Sequence, residues 1–353
     1  MELANPNTNR HSYVLNANEA HTMIERIKAV QMGCGPIGRS IARLAASRSS
    51  IEIVGAVDPA FSGHDIGEIV DDRNLNGMKI SDDARSTIEQ TNPDIILHAT
   101  GSSLEQVMPQ LEQILDFGVD IVSTCEEMSY PFFHHPKLSR KLDDLAVRHD
   151  ATVLANGVNP GFLMDVWPVF MTGVLQDVES VVCIRVQDAA HRRLPFRKKI
   201  GAGLSVGEFR QRVADGRIRH VGLPESVAMI AAGLGLHLDD VVETIEPVVA
   251  DHEVSSKDLP VAAGQVAGVR QVANGLIGGA EIIRLEFNAY IGAEGPHDAV
   301  YIKGLPDLDV VIKGGVHGDL ATASAVVNVV PRAISAPPGL KTMIDIPPVA
   351  AFR

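Results

Sequence analysis

Basic residues are scarce relative to acidic ones. There are 31 Lys and Arg against 44 Asp and Glu, a formal charge of −13. A chain of that sign repels phosphate backbones and anionic bilayers, which argues against nucleic-acid and membrane partners. Cysteine is scarce too. Cys34, Cys125 and Cys183 are odd in number and far apart. No disulfide framework is expected, and a reducing cytoplasm fits the chain. No CxxC or HExxH spacing occurs, and the adjacent His134 and His135 diverge on any regular structure, so no metal site is expected. No uncharged apolar run reaches the length of a membrane span. Residues 1–26 are polar, lack the apolar centre of a signal peptide and read as an arm. Repeats and low-complexity tracts are absent. What remains is ordinary globular composition, 45% hydrophobic and 21% charged, over 353 residues, enough for two domains.

The stretch VQMGCGPIGRSIARLA carries Gly33-x-Gly35-x-x-Gly38. The spacing is weak evidence alone, and its surroundings strengthen it. IKAVQM before it reads as a buried strand, and Ile37, Ile41 and Leu44 after it fall at helical spacing. The next apolar run, IEIVGAVD, ends at Asp58, 20 positions beyond Gly38. This is the strand–turn–helix–strand–acid order of a dinucleotide fold. Gly33 makes the tight turn, Gly35 admits a pyrophosphate and Gly38 lets helix and strand touch. Pro36 and Ile37 open the helix whose free N–H groups would face the phosphates.

Strands and helices then alternate through PDIILHATG, LEQVMPQLEQILDFG, VDIVSTCEE, KLSRKLDDLAVRHD and ATVLANGVNPG. That order implies a doubly wound parallel sheet of the Rossmann kind. Past Asn159 the pattern changes. ESVVCIRVQDA reads as a strand, HRRLPFRKKIGAG as a basic loop and Leu204 to Val249 as helical. AEIIRLEFNAYIG, DAVYIKG and LDVVIKGG read as antiparallel strands of a second α+β domain. GDLATASAVVNVVPRAISAPPGL reads as a helix capped by Asp319 that returns to the first domain. The expected division is an arm over 1–26, a dinucleotide-binding domain over 27–158, a substrate and oligomerisation domain over 159–317, and a returning helix and tail over 318–353.

Ligands of open α/β sheets lie beyond the carboxyl ends of the strands. Asp58 is expected to accept the adenosine ribose hydroxyls and to repel a 2′-phosphate, favouring NAD, with NADP the alternative cofactor. It could equally cap the turn that Pro59 begins. Thr100 and Gly101 are placed beside the nicotinamide ribose. In STCEEMSYP, Thr124 and Cys125 are expected to border the cofactor and precede Glu126 and Glu127. The two carboxylates are expected to end that strand, and since successive strand residues face opposite sides, only one of them enters the cleft. In ANGVNPGF, Asn156 and Asn159 could bind ligand or satisfy the turn. Arg193, in the basic loop, is a candidate for a substrate carboxylate.

Taken together, MGCGPIGRSIARLA, STCEEMSYP, NGVNPGFLMD, RRLPFRKKIGAGLS and the terminal GDLATASAVVNVVPRAISAPPGL resemble the 2,4-diaminopentanoate dehydrogenase group, which includes the native amine dehydrogenases. The resemblance runs from about Ile27 to Pro347. It implies a Rossmann domain joined to one similar to the C-terminal part of dihydrodipicolinate reductase. That reductase itself fits poorly, because no Asp-x-Pro-Ser-Gly-Thr follows FFHHPKL. The implied chemistry is NAD(P)-dependent oxidative deamination of an amine or its reverse. The implied catalytic residue is Glu126 or Glu127, with Glu127 favoured because a lysine of related dehydrogenases aligns there.

The leading expectation is an amine dehydrogenase acting on a small amine, or on a carbonyl with ammonia. The alternatives are a 2,4-diaminopentanoate-type enzyme and a non-catalytic NAD-binding sensor. A homodimer is expected from the family and from long apolar strands with few aromatics.

Overall fold

In the computed structural model, which describes residues 26–256 and 259–352, the chain forms two compact units. One comprises residues up to Met128, His135–Asn156 and Thr322 onward; the other comprises Ser129–His134 and Gly157–Ala321. The expected arm over 1–26 lies, but for its last residue, outside the described residues. Along the chain run β1 (Ile27–Met32), α1 (Pro36–Ala46), β2 (Ile51–Val57), α2 (Ile66–Val70), α3 (Ala84–Thr91), β3 (Ile95–His98), α4 (Leu104–Leu115), β4 (Asp120–Ser123), α5 (Pro136–Arg148) and β5 (Thr152–Ala155). Then come α6 (Val166–Met171), β6 (Asp177–Asp188), α7 (Leu194–Lys199), α8 (Val206–Ala214), α9 (Leu223–Gly233) and β7 (Asp240–Val249). The remainder is β8 (Val254–Ser256), β9 (Leu259–Val261), β10 (Val266–Ile277), β11 (Ala280–Tyr290), β12 (His297–Leu305), β13 (Leu308–Lys313), α10 (Gly318–Ser335) and β14 (Gly339–Lys341).

The first unit holds a six-stranded, wholly parallel sheet in the order β14-β5-β4-β3-β1-β2. Every residue of β3 and β5 is buried, as expected of a sheet covered on both faces. The helices answer with apolar stripes. α1 buries Gly38, Ile41, Ala42 and Ala45, and α4 buries Leu104, Val107, Met108, Leu111, Ile114 and Leu115. The chain leaves β1 toward the β2 edge and β3 toward the β4 side, so the crevice between β1 and β3 opens at their carboxyl ends. The fold is therefore the doubly wound one that the alternation implied. β14 is an addition: three residues are too few to show a periodicity, and Leu340 is held there by its N–H donating to Asp143 Oδ1 at 2.8 Å.

The second unit holds a mixed sheet in the order β13-β12-β6-β11-β10-β7. All its pairings are antiparallel except β6 with β11. Parallel neighbours need a long crossover, and the segment from α7 to β10 supplies it. The strands expected to be antiparallel, β11, β12 and β13, do alternate in direction; the parallel pairing joins β11 to β6, whose direction the sequence left open. The helical reading of Leu204 to Val249 holds for α8 and α9. It fails for β7, along which exposure mostly alternates with the period of a strand. The basic loop contains the short helix α7, opened by Pro195. Asp319 is not an N-cap, because α10 begins one residue earlier and the carboxylate pairs with Arg192 and Arg193 at 2.9 and 3.3 Å. Residues Leu223–Ala231 of α9 are all buried, and the helix packs on β10 and β11 within an apolar core. Among the described residues no helix is long and apolar enough to cross a membrane.

The contact that seats α1 on β1 is made by glycine. A Cβ on Gly38 would lie 1.9 Å from the carbonyl oxygen of Gly33. Gly33 itself has φ +90°, and a Cβ there would lie 2.4 Å from the Ala99 carbonyl oxygen. Both obstacles are backbone and cannot rotate away. Gly38→Ala is therefore expected to destabilise the first unit by about 1–3 kcal/mol, the range of overpacking. Urea titration followed by far-UV circular dichroism measures it, and an unchanged midpoint would disprove the close approach.

Candidate active site

Gly35 is the N-cap of α1, with φ −64° and ψ 178°, and no side chain caps the helix. A Cβ placed on Gly35 meets nothing within 4 Å. The loop thus offers free helix N–H groups and open space, the combination that accepts a phosphate. A cleft of about 550 Å³ opens here, lined by Gly33, Gly35, Asp58, Asp82, Asp83, Thr100 and Gln110 among others. Its open glycine loop and uncapped helix N-terminus fit the phosphates of a dinucleotide. Burial, and then the charge of Asp58, push the Cys34 thiol in this loop up to about 11, so it stays protonated.

Asp58 follows β2, and each of its oxygens accepts a backbone N–H. Its Oδ1 accepts from Ala60 N at 2.9 Å, capping the next turn. Its Oδ2 accepts from Cys34 N at 2.6 Å, bracing the glycine loop. Carboxylate oxygens have further lone pairs, and Asp58 stands on the cleft wall, so hydroxyl donors can still reach it. Arg39 lies 4.7 Å over the Phe61 ring, with its Nε donating to the Cys34 carbonyl at 2.7 Å.

A polar network that sequence reasoning did not assign lies at the carboxyl ends of β3 and β4. His98 is fully buried. Its Nδ1 is 2.8 Å from Ser123 Oγ, and its Nε2 is 2.9 Å from Gln110 Oε1 and 2.8 Å from Thr100 Oγ1. Thr100 Oγ1 donates to Gln110 Oε1 at 2.6 Å, and Cys125 N donates to Ser123 Oγ at 3.0 Å. A neutral imidazole protonated on Nε2 satisfies all of these, with the Ser123 hydroxyl donating to Nδ1. Gln110 then spends its oxygen inward and has its NH₂ for the cleft it lines. Desolvation lowers the His98 pKa to about 4. A polar residue ending the apolar run IILH was the available signal.

The turn after β4 holds the acidic pair. The strand stops at Ser123, and Glu126–Met128 form a 3-10 turn, so strand alternation does not decide between the two glutamates. Both are half-buried. Glu127 Oε2 accepts from Leu104 N, the first residue of α4, at 2.8 Å, and lies 3.1 Å from His135 Nε2. His135 Nδ1 is 3.9 Å from Glu105 Oε1. Glu127 N reaches the Ser102 carbonyl at 3.3 Å, and Thr124 N donates to the His98 carbonyl at 2.9 Å. Cys125 turns its thiol into the apolar core, where burial raises its pKa far above the usual thiol range. Gly101 stands between Thr100 and this turn's anchor at Ser102.

The other candidates have partners of their own. Asn156 is 5% exposed, and its Nδ2 donates to the Ala325 carbonyl at 2.8 Å, which anchors α10. In the second unit, Asn159 Nδ2 donates to His220 Nε2 at 2.9 Å, while its Oδ1 is buried without a partner. Burial against the Phe287 ring, with Lys199 and Arg185 adding positive charge, lowers the His220 pKa to about 3. Arg193 Nε lies 3.3 Å from Asp319 Oδ2, so its charge is answered within the chain. Among the described residues no group of three His, Cys, Asp or Glu could hold a metal.

His98 makes stability depend on acid. Its folded pKa lies below the unfolded value of about 6.5. As pH falls through that value the unfolded chain gains a proton that the folded chain refuses, and stability drops until about pH 4. The urea midpoint is expected to fall between pH 7 and pH 4.5, more steeply in the native protein than in His98→Gln; equal slopes would remove His98 as the cause.

The family of the 2,4-diaminopentanoate dehydrogenase C-terminal domain matches residues 162–353. The 2,4-diaminopentanoate dehydrogenase of Acetoanaerobium sticklandii is 30% identical over 335 residues, 92% of this chain and 94% of that protein. An amine dehydrogenase of Streptomyces virginiae is 23% identical over 351 residues, 91% of this chain and 96% of its own. The solved structure of an amine dehydrogenase from Mycobacterium smegmatis superposes with a TM-score of 0.82 at 25% identity, covering 94% of this chain and 99% of that one. Its doubly wound sheet, open glycine loop and carboxylate turn accord with these matches: the chain belongs to the 2,4-diaminopentanoate dehydrogenase family and is an oxidoreductase acting on amines.

Proposed function

We propose that the protein is a reversible NAD(H)-dependent amine dehydrogenase, with Glu127 as its acid–base group. It would oxidise a small primary amine to an iminium that water converts to carbonyl and ammonia, and run the same path in reverse. The observation that carries this reading is how Glu127 is held. Both of its hydrogen bonds fall on Oε2, so Oε1 is the oxygen open to a substrate proton. Every nitrogen species on the path is cationic or must shed a proton. A carboxylate stabilises the first kind and accepts from the second. From Glu127 the route to water runs through His135 to Glu105, whose side chain is 72% exposed.

When bound, the nicotinamide dinucleotide supplies the hydride acceptor. The uncapped α1 N-terminus would hold its diphosphate, Asp58 a ribose, and the Gln110 amide a further oxygen. Asp58, Asp82 and Asp83 put three carboxylates on one cleft, which opposes a 2′-phosphate and supports NAD over NADP. The names of the relatives support amine chemistry. A carboxylate at Arg193 draws less support, because Asp319 already neutralises it. The diamino-acid reading rests on the 30% identity to a 2,4-diaminopentanoate dehydrogenase. We place the enzyme in the cytoplasm, its three buried cysteines being free thiols. A homodimer formed through the second sheet is supported by Val242, Leu305 and Val311, exposed on β7, β12 and β13; sedimentation of a monomer alone at micromolar protein would refute it.

Glu127→Gln keeps the shape and removes the base. Amine-dependent NADH formation is expected to fall about 10²–10⁴-fold, with NADH affinity unchanged. Glu126→Gln should cost less, and near-normal turnover in both variants would take the carboxylate out of the mechanism. For the cofactor, Gly35→Ala should leave the melting temperature unaltered while weakening NADH binding, since its methyl enters open space. Asp58→Ser should shift the ratio of NADH to NADPH affinity toward NADPH. Fluorescence titration reads both, and tighter NADPH binding by the native protein would overturn the assignment of Asp58.

A further inference from the structure

The first unit's cleft contains a side chain that the chemistry above leaves unused. Gln113 lines the cavity of about 550 Å³ in company with Asp82, Asp83 and Ala84. It lies three residues beyond Gln110 on α4, so the two amides share one face of the helix. Gln110 has its oxygen engaged by Thr100 and His98. Gln113 differs: among the described residues nothing hydrogen-bonds its amide. The side chain is half-buried in the cleft wall, where a ligand can take both its donor and its acceptor.

Position along the cleft decides which part of a dinucleotide Gln113 would meet. The phosphates belong at Gly35 and the start of α1, and a ribose at Asp58. Beyond Asp58 the chain runs from the edge strand β2 to α3, whose N-cap is Asp83. Helix α4 packs against α3. The part of the cavity bounded by Asp82, Asp83, Ala84 and Gln113 therefore lies on the β2 side, past the ribose. Val57, Pro59 and Ala84 give it apolar walls. A flat group with apolar faces and a polar edge fits such a space, and a purine base is one. The carboxylates of Asp82 and Asp83 are acceptors only, and Asp83 Oδ1 already takes Ser86 N at 3.1 Å. A side-chain donor for the base must then come from an amide.

We propose that Gln113 reads the base of the dinucleotide. Its Oε1 accepts from the adenine amino group, and its Nε2 donates to the ring nitrogen beside that group. An amide carries one acceptor and one donor side by side, which is the pattern that matches this edge of adenine in two bonds. Hypoxanthine has an oxo group where adenine has its amino group, so the amide oxygen would face another acceptor. This role rests on the NAD reading of the cleft and extends it to the base. The glycine loop and Asp58 recognise phosphate and ribose, which are the same whichever purine is attached. Gln113 makes the protein select among purines.

The test titrates native protein and Gln113→Leu with NADH and with deamino-NADH, which carries hypoxanthine in place of adenine and is otherwise identical. Both fluoresce through the nicotinamide, so affinity is read without turnover. Native protein is expected to bind NADH about tenfold or more tighter than deamino-NADH, which is within what one two-bond contact discriminates. Gln113→Leu keeps the size and removes both hydrogen bonds. The preference should then shrink to about threefold or less, through weaker NADH binding. Equal binding of the two dinucleotides by native protein overturns the role of Gln113 and leaves the NAD reading standing. So does a variant that keeps the native preference. Binding of neither dinucleotide by native protein overturns the NAD reading and the role of Gln113 with it, so the two failures are told apart. If Gln113→Leu does not fold, Gln113→Met replaces it with the same expected loss of preference.

Discussion

The approach of α1 to the loop that precedes it governs the first unit's site. Because Gly38 has no side chain, the first turn of the helix comes down onto the Gly33 carbonyl. That seating brings the free N–H groups of α1 over the carboxyl ends of the strands and leaves Gly35 facing open space. The same loop is pinned from the other side by Asp58, whose Oδ2 takes the Cys34 N–H. One small residue and one acid thus hold a stretch of backbone in a form that would be costly without them. The cleft is what that form leaves behind.

Charge and neutrality are separated along the strand ends. Between β3 and β4 the polar groups form a closed, uncharged set around His98, where full burial forbids a proton. Its outermost members, Thr100 and Gln110, are the ones that line the cleft. One strand further, the turn after β4 carries carboxylate. There Glu127 is placed by the N-terminus of α4, which lacks a side-chain cap of its own at Ser103, so the helix and the acid satisfy each other. A rigid neutral wall beside a fixed anion is a physical basis for holding a cofactor and moving a proton in neighbouring places.

The second unit settles most of its buried charge internally. Arg185 is 3.3 Å from Asp298 and donates to the Val316 carbonyl, Arg192 and Arg193 share Asp319, and Arg219 faces Glu243. Pairs like these contribute little net stability, but breaking one leaves an uncompensated charge. The basic segment 191–199 therefore presents less free positive charge than its composition implies.

Features that depend on near neighbours along the chain can be read from the residues alone. The glycine spacing, the alternation of strand and helix, the acid twenty positions beyond Gly38 and the two-unit scale are all local, and each was legible because strand and helix write their periods into consecutive residues. The acidic pair was legible as chemistry, but the side each glutamate faces was not. That depended on where β4 stops, and a 3-10 turn removed the alternation the inference used. β7 was misread for a related reason, since valine-rich runs carry no length or glycine signal that separates strand from helix. Which distant groups meet is set by the packing of the folded chain. His98 with Gln110, Glu127 with Leu104 and His135, Arg193 with Asp319, and Glu225 with His134 are pairings across 8 to 126 residues. No periodicity encodes them, because a side chain's partner is set by the packing of whole elements and not by its neighbours in the chain.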